Sequence, residues 1–211
     1  MITVKSREFE LMDQYSIHAV DSAVASTPEA AETMADGMGY PVAVKIQSPG
    51  VHKTDIGGIR LNVGKENIKQ AFNDVIENAK KAGVSYQGCI IQKMAKQGLE
   101  IIVGIKQDSQ FGPVILFGMG GVYTEILKDF SLRVCPITEQ DAMEMVDELK
   151  SHSIFTARGK VYDKTEIVNL LMKINNIAMK EKIKELDLNP VFLYPKGGDE
   201  AYSVVDVRLI D

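Results

Sequence analysis

The sequence predicts a mixed fold, α+β or α/β, with strands and helices interspersed along one chain. Three observations predict it. Ile68, Ala71, Phe72, Val75, Ile76 and Ala79 follow the i, i+3, i+4, i+7 spacing of one buried stripe, in a helix predicted over Glu66 to Ala82. Two β-prone runs, Val42 to Ile46 and Ile59 to Val63, flank a polar segment carrying Pro49, Gly50, Gly57 and Gly58, which reads as strand, loop, strand. Short apolar runs bounded by turn residues recur at Gly88 to Met94, Glu100 to Ile105, Val114 to Phe117, Ile183 to Leu188 and Tyr202 to Leu209.

In chain order, Ser6 to Tyr15 is a short amphipathic helix with Phe9, Leu11 and Met12 inward, followed by a β-prone link from Ile17 to Val24. Thr27-Pro28-Glu29 starts the next helix, with an N-cap oxygen, a proline at the first helical position and an acid in the first turn. That helix stops near Gly37 to Gly39, and Gly83 stops the helix that begins at Glu66. Lys96-Gln97-Gly98 and Asp108 to Pro113 are turns. Gly118-Met119-Gly120-Gly121 follows the Val114 strand, and so many glycines mean a backbone that bends tightly or touches something closely. Thr124 to Leu127 and Leu132 to Val134 are further short strands. Thr138 caps a helix through Lys150, and Asp163 with Glu166 is a capping-box-like start for the last helix.

The chain has 211 residues, 45% hydrophobic and 25% charged, with a formal net charge of −5, as in ordinary globular proteins. The acidic excess argues against broad binding to nucleic acid or anionic membrane. Cys89 and Cys135 lack metal-type spacing and read as buried free thiols of a reducing compartment. No signal-peptide core opens the chain, and no apolar run approaches the roughly 20 residues of a membrane span. A cytoplasmic protein is expected.

The chemistry concentrates in two places. Lys45 lies inside an apolar strand, where an ammonium is costly unless an anion meets it. Lys53, Thr54, Asp55 and the pair Gly57-Gly58 suit a cover over phosphates, since glycine lets backbone N–H groups approach an anion. A β-hairpin whose lysine reaches out to solvent explains the same residues. Near the C-terminus, Glu185, Asp187 and Asn189 share one strand face, and an antiparallel neighbour brings Asp206 near Asn189 and Asp187. Such oxygens suit Mg2+, which takes few protein ligands and completes its shell with water and phosphate. An ion pair for Asp206 and a turn at Asp187 and Asn189 explain them as well.

Taken together, YPVAVKIQSPGVHKTDIGGIRLNV, FGPVILFGMGGVYTEILKD and ELDLNPVFL with VVDVRL resemble the ATP-grasp β subunit of ADP-forming acyl-CoA (acetyl-CoA) synthetases, relatives of succinyl-CoA synthetase. The resemblance covers essentially the whole chain, and the P-loop pattern G-x-x-x-x-G-K-S/T is absent. It implies an α+β ATP-grasp domain over residues 1–211, whose two lobes clamp a nucleotide: a smaller lobe at about 20–92 and a larger one at about 93–211 that includes the N-terminal helix. It implies ATP/ADP and Mg2+ as cofactors. Lys45 would contact the nucleotide phosphates, and Lys53, Thr54, Asp55, Gly57 and Gly58 would cover them. Gln92, Lys93 and Met94 would border adenine, and Glu100 would lie near the ribose or the loop. Asn189 and Asp206 would hold the metal, with Asp187 nearby. His52 matches the histidine that carries phosphate between two sites, a role suited to a nitrogen that is nucleophilic near neutral pH.

The chain has no CoA-binding Rossmann domain, so the resemblance implies a separate CoA-binding α subunit in an α2β2-type hetero-oligomer. Ser16 stands where the family commonly has glycine. Glu125, Arg133 and Arg158 fit either cleft roles or structural ones, and His18 and His152 read as structural. Two other functions remain open at this point. A stand-alone carboxylate–amine ligase of the same fold usually carries an extra N-terminal lobe, whereas only about 40 residues precede the Lys45 strand. A non-catalytic nucleotide-binding regulatory module needs no loop histidine.

Overall fold

The computed structural model describes residues 5–48, 53–121 and 128–211. Two compact units make up the chain: Met1–Leu11 with Val20–Ala95, and Met12–Ala19 with Lys96–Asp211. Helix α1, Arg7–Gln14, runs across that division and buries Phe9, Leu11 and Met12.

The first unit is a four-stranded antiparallel sheet of β1 (Ser22–Ala25), β2 (Val42–Ile46), β3 (Ile59–Val63) and β4 (Cys89–Lys93), in the order β1-β4-β2-β3. Helices α2 (Pro28–Met38) and α3 (Ile68–Lys81) cover one side of it. Thr27 caps α2 by accepting from the Ala30 N–H. Gly37 stays inside α2, and Gly39 ends it. A 3-10 turn, Lys65–Asn67, precedes α3, so the α-helix starts two residues after the predicted Glu66. The stripe Ile68, Ala71, Phe72, Val75 and Ala79 is buried against Val42, Val44, Ile46, Cys89 and Ile91. Burying each such side chain contributes on the order of 1.5–3 kcal/mol, which holds α3 against the sheet.

The second unit is a six-stranded antiparallel sheet. Its strands are β5 (Leu99–Asp108), β6 (Gly112–Met119), β7 (Phe130–Val134), β8 (Glu185–Leu193), β9 (Tyr202–Val204) and β10 (Val207–Ile210), in the order β10-β8-β5-β6-β7, with β9 also on β8. Helices α4 (Glu139–Asp147) and α5 (Lys164–Lys180) pack on its inner side. Ile101, Val103, Ile105, Ile115, Phe117, Leu186 and Leu188 fill that side.

Several sequence expectations need correction. Strand β8 does not stop before Pro190. Asn189 and Pro190 stand opposite the single residue Ile102 in a bulge, a place where a strand tolerates a missing N–H. The predicted strand Tyr202 to Leu209 is two strands, interrupted at Val205 and Asp206 across from that bulge. The capping box belongs to Thr138 and Asp141 at α4, while Asp163 caps α5 only through the Thr165 N–H and pairs with Lys196. Cys89 is buried, but Cys135 is only partly so. Burial pushes both thiols up, to about 12 and about 11, so both are protonated near neutral pH. The predicted strand Thr124 to Leu127 lies outside the described residues. No helix among the described residues is long and apolar enough to cross a membrane.

Candidate functional site

In the first unit, register brings Lys45 and Gln92 to one sheet face. Lys45 lies opposite Ile90 on β4, and Gln92 lies opposite Ala43 on β2, so the two polar residues are diagonal neighbours. Both are buried, Lys45 at 4% exposure. The opposite face carries Val42, Val44, Cys89 and Ile91 into the core with α2 and α3. The sheet thus has an apolar side toward its helices and a side on which a cation and an amide sit among apolar neighbours. Lys93 ends β4 as an exposed residue, and Met94 follows half-buried in the irregular segment before β5.

The glycine pair closes a turn that re-enters the sheet at β3. The Gly57 N–H donates to the Thr54 carbonyl at 3.1 Å, the Gly58 N–H to the Lys53 carbonyl at 2.7 Å, and the Ile46 N–H to the Gly58 carbonyl at 2.8 Å. Gly57 has φ +64°, in the left-handed region. At Gly58 a Cβ would stand 2.7 Å from the Ile46 side chain and 3.0 Å from the Lys53 carbonyl, so only glycine fits. Asn78 of α3 donates to the Gly57 carbonyl at 2.9 Å, fixing the turn from below. Thr54 and Asp55 are exposed at its tip, and Lys53 is half-buried.

At the other end of the loop, the Ser48 hydroxyl donates to the Ser85 carbonyl at 2.6 Å. Gln47 exchanges backbone hydrogen bonds with Gly88 and Gln87. Ser48 and Lys53 are thus both tied to the sheet or the turn by hydrogen bonds, and His52, predicted as the phosphoryl carrier, lies outside the described residues. Asn78 and Ser48 had no role in the sequence reading. Their partners are distant in sequence, so local pattern carries no signal for them.

In the second unit, Glu100 is the second residue of β5 and is half-buried. The Gly120 N–H donates to its carbonyl at 2.8 Å, and a Cβ on Gly120 would stand 2.8 Å from the Glu100 Cβ. The close approach expected of the Gly118–Gly121 run is thus to Glu100 at Gly120 and Gly121, and to Asp129 and Phe130 at Gly118. Asn189 and Asp206 face each other across β8 and the β9–β10 break, with the Asn189 N–H donating to the Asp206 carbonyl at 3.2 Å. Asn189 is exposed, and Asp206 and Asp187 are half-buried, with Asp187 two positions along the same strand face. Among the described residues no group of three or more His, Cys, Asp or Glu could enclose a metal. An amide and a carboxylate at one level of the sheet, both oxygen donors, fit a hard cation that keeps water or phosphate in its remaining positions.

The other candidates resolve individually. Arg133 makes a two-pronged contact with Glu148 at 2.8 and 2.9 Å, a structural ion pair between β7 and α4. Arg158 is exposed with φ +54°, at a kink within the 3-10 segment His152–Gly159 that follows α4. His18 pairs with Glu200 at 3.3 Å, and the His152 ring lies 2.9 Å from the Leu149 carbonyl. Glu125 lies outside the described residues.

Asp129 was not singled out in the sequence, yet it anchors the start of β7. Its buried carboxylate accepts from the Lys150 N–H at 2.8 Å, from the Ser151 N–H at 2.9 Å, and from the Ser151 hydroxyl. Its carbonyl accepts from the Met119 N–H at 3.1 Å, beside the glycine run. Burial opposes ionisation, but the hydrogen bonds from Ser151 and Lys150 outweigh it and hold the carboxyl below its ordinary value. Asp129→Ala strands these donors and is expected to cost about 2–3 kcal/mol, lowering the thermal midpoint by about 5–10 °C. Because the folded-state pKa is depressed, this stabilisation is present above the ordinary carboxylate range and lost as pH falls through the folded pKa. The difference between the melting points of the two proteins should therefore narrow in acid.

Comparison with known proteins matches nearly the whole chain to one family. The ATP-grasp domain family matches residues 3–210. An ADP-forming acetate–CoA ligase I of Archaeoglobus fulgidus is 41% identical over 208 residues, covering 95% of this chain, which spans only 30% of that protein. The β subunit of ADP-forming acetate–CoA ligase II of Pyrococcus furiosus is 40% identical over 209 residues, covering 95% of this chain and 88% of the subunit. A solved acetyl-coenzyme A synthetase 1 of Ca. Korarchaeum cryptofilum superimposes with a TM-score of 0.79 at 36% identity, over 96% of this chain and 89% of that one. That structure holds coenzyme A and Mg-AMPPCP, with a phosphohistidine segment pointing towards its nucleotide-binding site. The chain belongs to the ATP-grasp family, among the β subunits of ADP-forming acetate–CoA ligases.

Proposed function

We propose that this chain is the nucleotide-binding β subunit of an ADP-forming acyl-CoA ligase, an acid–thiol ligase that works with a CoA-binding α subunit. The observation that carries this reading is the alignment with 88% of a separately encoded β subunit of the same class. The net reaction is acyl-CoA + ADP + phosphate ⇌ carboxylate + CoA + ATP. The α subunit supplies the CoA site, the acyl site and a first histidine, in an α2β2-type assembly in the cytoplasm.

The first unit handles phosphate. Lys45 offsets phosphate charge from its buried position, where an ammonium acts through less solvent than at a surface. Lys53, Thr54, Asp55, Gly57 and Gly58 cover the phosphates with a turn already closed by its own hydrogen bonds. Gln92, Lys93 and Met94 border the purine through backbone groups, and Glu100 lies near the ribose or the loop. Asn189 and Asp206 hold Mg2+, which when bound neutralises charge on the transferring phosphoryl group.

His52 performs the group transfer. Its imidazole takes the phosphoryl group from the partner's phosphohistidine, one N–P bond forming as the other breaks. It then surrenders that group to a terminal oxygen of ADP, so that a P–O bond forms, the N–P bond breaks, and the imidazole leaves neutral. This chain contributes position and charge to a reaction that asks for little else. The test is reconstitution: the chain and a CoA-binding α subunit, given acetyl-CoA, phosphate and Mg-ADP, are expected to form ATP only when both subunits are present. ATP-dependent joining of an acid to an amine by the chain alone would overturn the assignment.

A further inference from the structure

We propose that the outward face of the six-stranded sheet, beyond Asn189 and towards the β7 edge, is the seat of the CoA-binding partner chain. This rests on the function proposed above and adds the surface through which it is achieved.

The register lays that face out as rows. Val134, Val114, Lys106 and Glu185 form one row across β7, β6, β5 and β8; Leu132, Leu116, Gly104 and Asp187 form the next; Phe130, Gly118, Ile102 and Asn189 lie near the metal pair. Gly104 gives the middle row a floor without a side chain. The result is a groove of about 660 Å3, with an apolar wall on β6 and β7 and a polar wall of Lys106, Asp108, Glu185 and Asp187.

The polarity of β7 is the reverse of what a sheet covered on one side by helices normally shows. Its helix side carries Ser131 and Arg133, both bonded to Glu148 of the segment closing α4. Its outward side carries Phe130, Leu132 and Val134, with Leu132 49% and Val134 48% exposed. Among the described residues β7 pairs only with β6. Apolar rows of this kind, rimmed by charge, mark interaction surfaces.

Three features select a polypeptide partner. The groove is continuous with Asn189, so its occupant reaches the half-site that serves the phosphoryl acceptor. The carboxylates of Asp108 and Asp187 oppose nucleic acid and anionic lipid, Glu185 being paired with Arg208, while the division into apolar and polar walls matches an amphipathic segment. This domain also makes up 30% of a longer ligase and, in another organism, nearly all of a separate β subunit. When the remainder is a separate chain, a non-covalent surface must replace the tether, and a free subunit leaves that surface bare.

The test uses the full chain carrying Leu132→Glu and Val134→Glu, with Leu132→Ser as a milder variant. Each is titrated with the purified CoA-binding α subunit that gives ATP synthesis with the unmodified chain, and separately with Mg-ADP. The double variant is expected to lose α-subunit affinity by about 30-fold or more, and the serine variant by less, with Mg-ADP affinity held within about twofold. Unchanged α-subunit binding would overturn the proposal while leaving the function standing. So would sedimentation showing that the variants only abolish self-association, which makes a second copy the occupant. An unmodified chain that binds no α subunit would remove both the function and this surface.

Discussion

Lys45→Met should weaken Mg-ADP binding about 100-fold and leave the melting temperature within a few degrees of the unmodified protein. The side chain sits inside β2 between register partners Ile59 and Ile90 and is 4% exposed. Methionine has a comparable length and fills the space of the lysine stem, so packing is retained. What disappears is a cation in a site with little water. Removing one partner of a buried charge-assisted contact costs about 2–5 kcal/mol, and about 1.4 kcal/mol is a factor of ten in affinity. Calorimetric titration checks the affinity and a thermal melt checks the fold. Equal affinity in the two proteins would take Lys45 out of the phosphate site.

His52→Ala should lower ATP formation in the reconstituted complex by at least about 1,000-fold while ADP binding is retained, because alanine leaves no nitrogen to carry the phosphoryl group. The two effects separate for a structural reason. The contacts described at the loop's ends run from Ser48 to Ser85, from Asn78 to Gly57 and from Gly58 to Lys53, through backbone and side-chain groups of those residues. The variant should therefore bind nucleotide and partner yet fail to pass phosphate between them. Full turnover by His52→Ala would remove this residue from the mechanism, and lost ADP binding would assign it a structural role.

Residues whose structure depends on near neighbours were legible in the sequence. The α3 stripe and the β2–loop–β3 unit follow from periodicity and from Gly57 and Gly58, and each has its predicted place. Thr27 and Pro28 likewise fix the start of α2. What escaped depends on distant partners. Asp129 has no local signature, because its donors, Lys150 and Ser151, lie 21 and 22 residues away. Pro190 reads as a strand end, and only the bulge opposite Ile102 lets β8 continue through it. Asp163 and Thr138 carry similar capping patterns, and the tertiary contact with Lys196 sets Asp163 apart. The outward apolar side of β7 was equally hidden, since Phe130, Leu132 and Val134 alternate like any half-buried strand until the register shows which side the helices cover.

For the functional residues the division is similar. Asp187, Asn189 and Asp206 were expected together from strand alternation, and the β8 register sets Asp206 across from Asn189. The roles given to Gln92, Lys93, Met94 and Glu100 came from family resemblance, because neither spacing nor periodicity distinguishes a purine-bordering segment from an ordinary strand end.

Binding of a magnesium-bound nucleotide by the unmodified chain is the property on which every role above depends. Titration of ADP into it with magnesium present should show saturable uptake at one site per chain, weakened when the metal is chelated. Heat no greater than dilution with magnesium present, in a chain that melts cooperatively, would contradict the account at its centre.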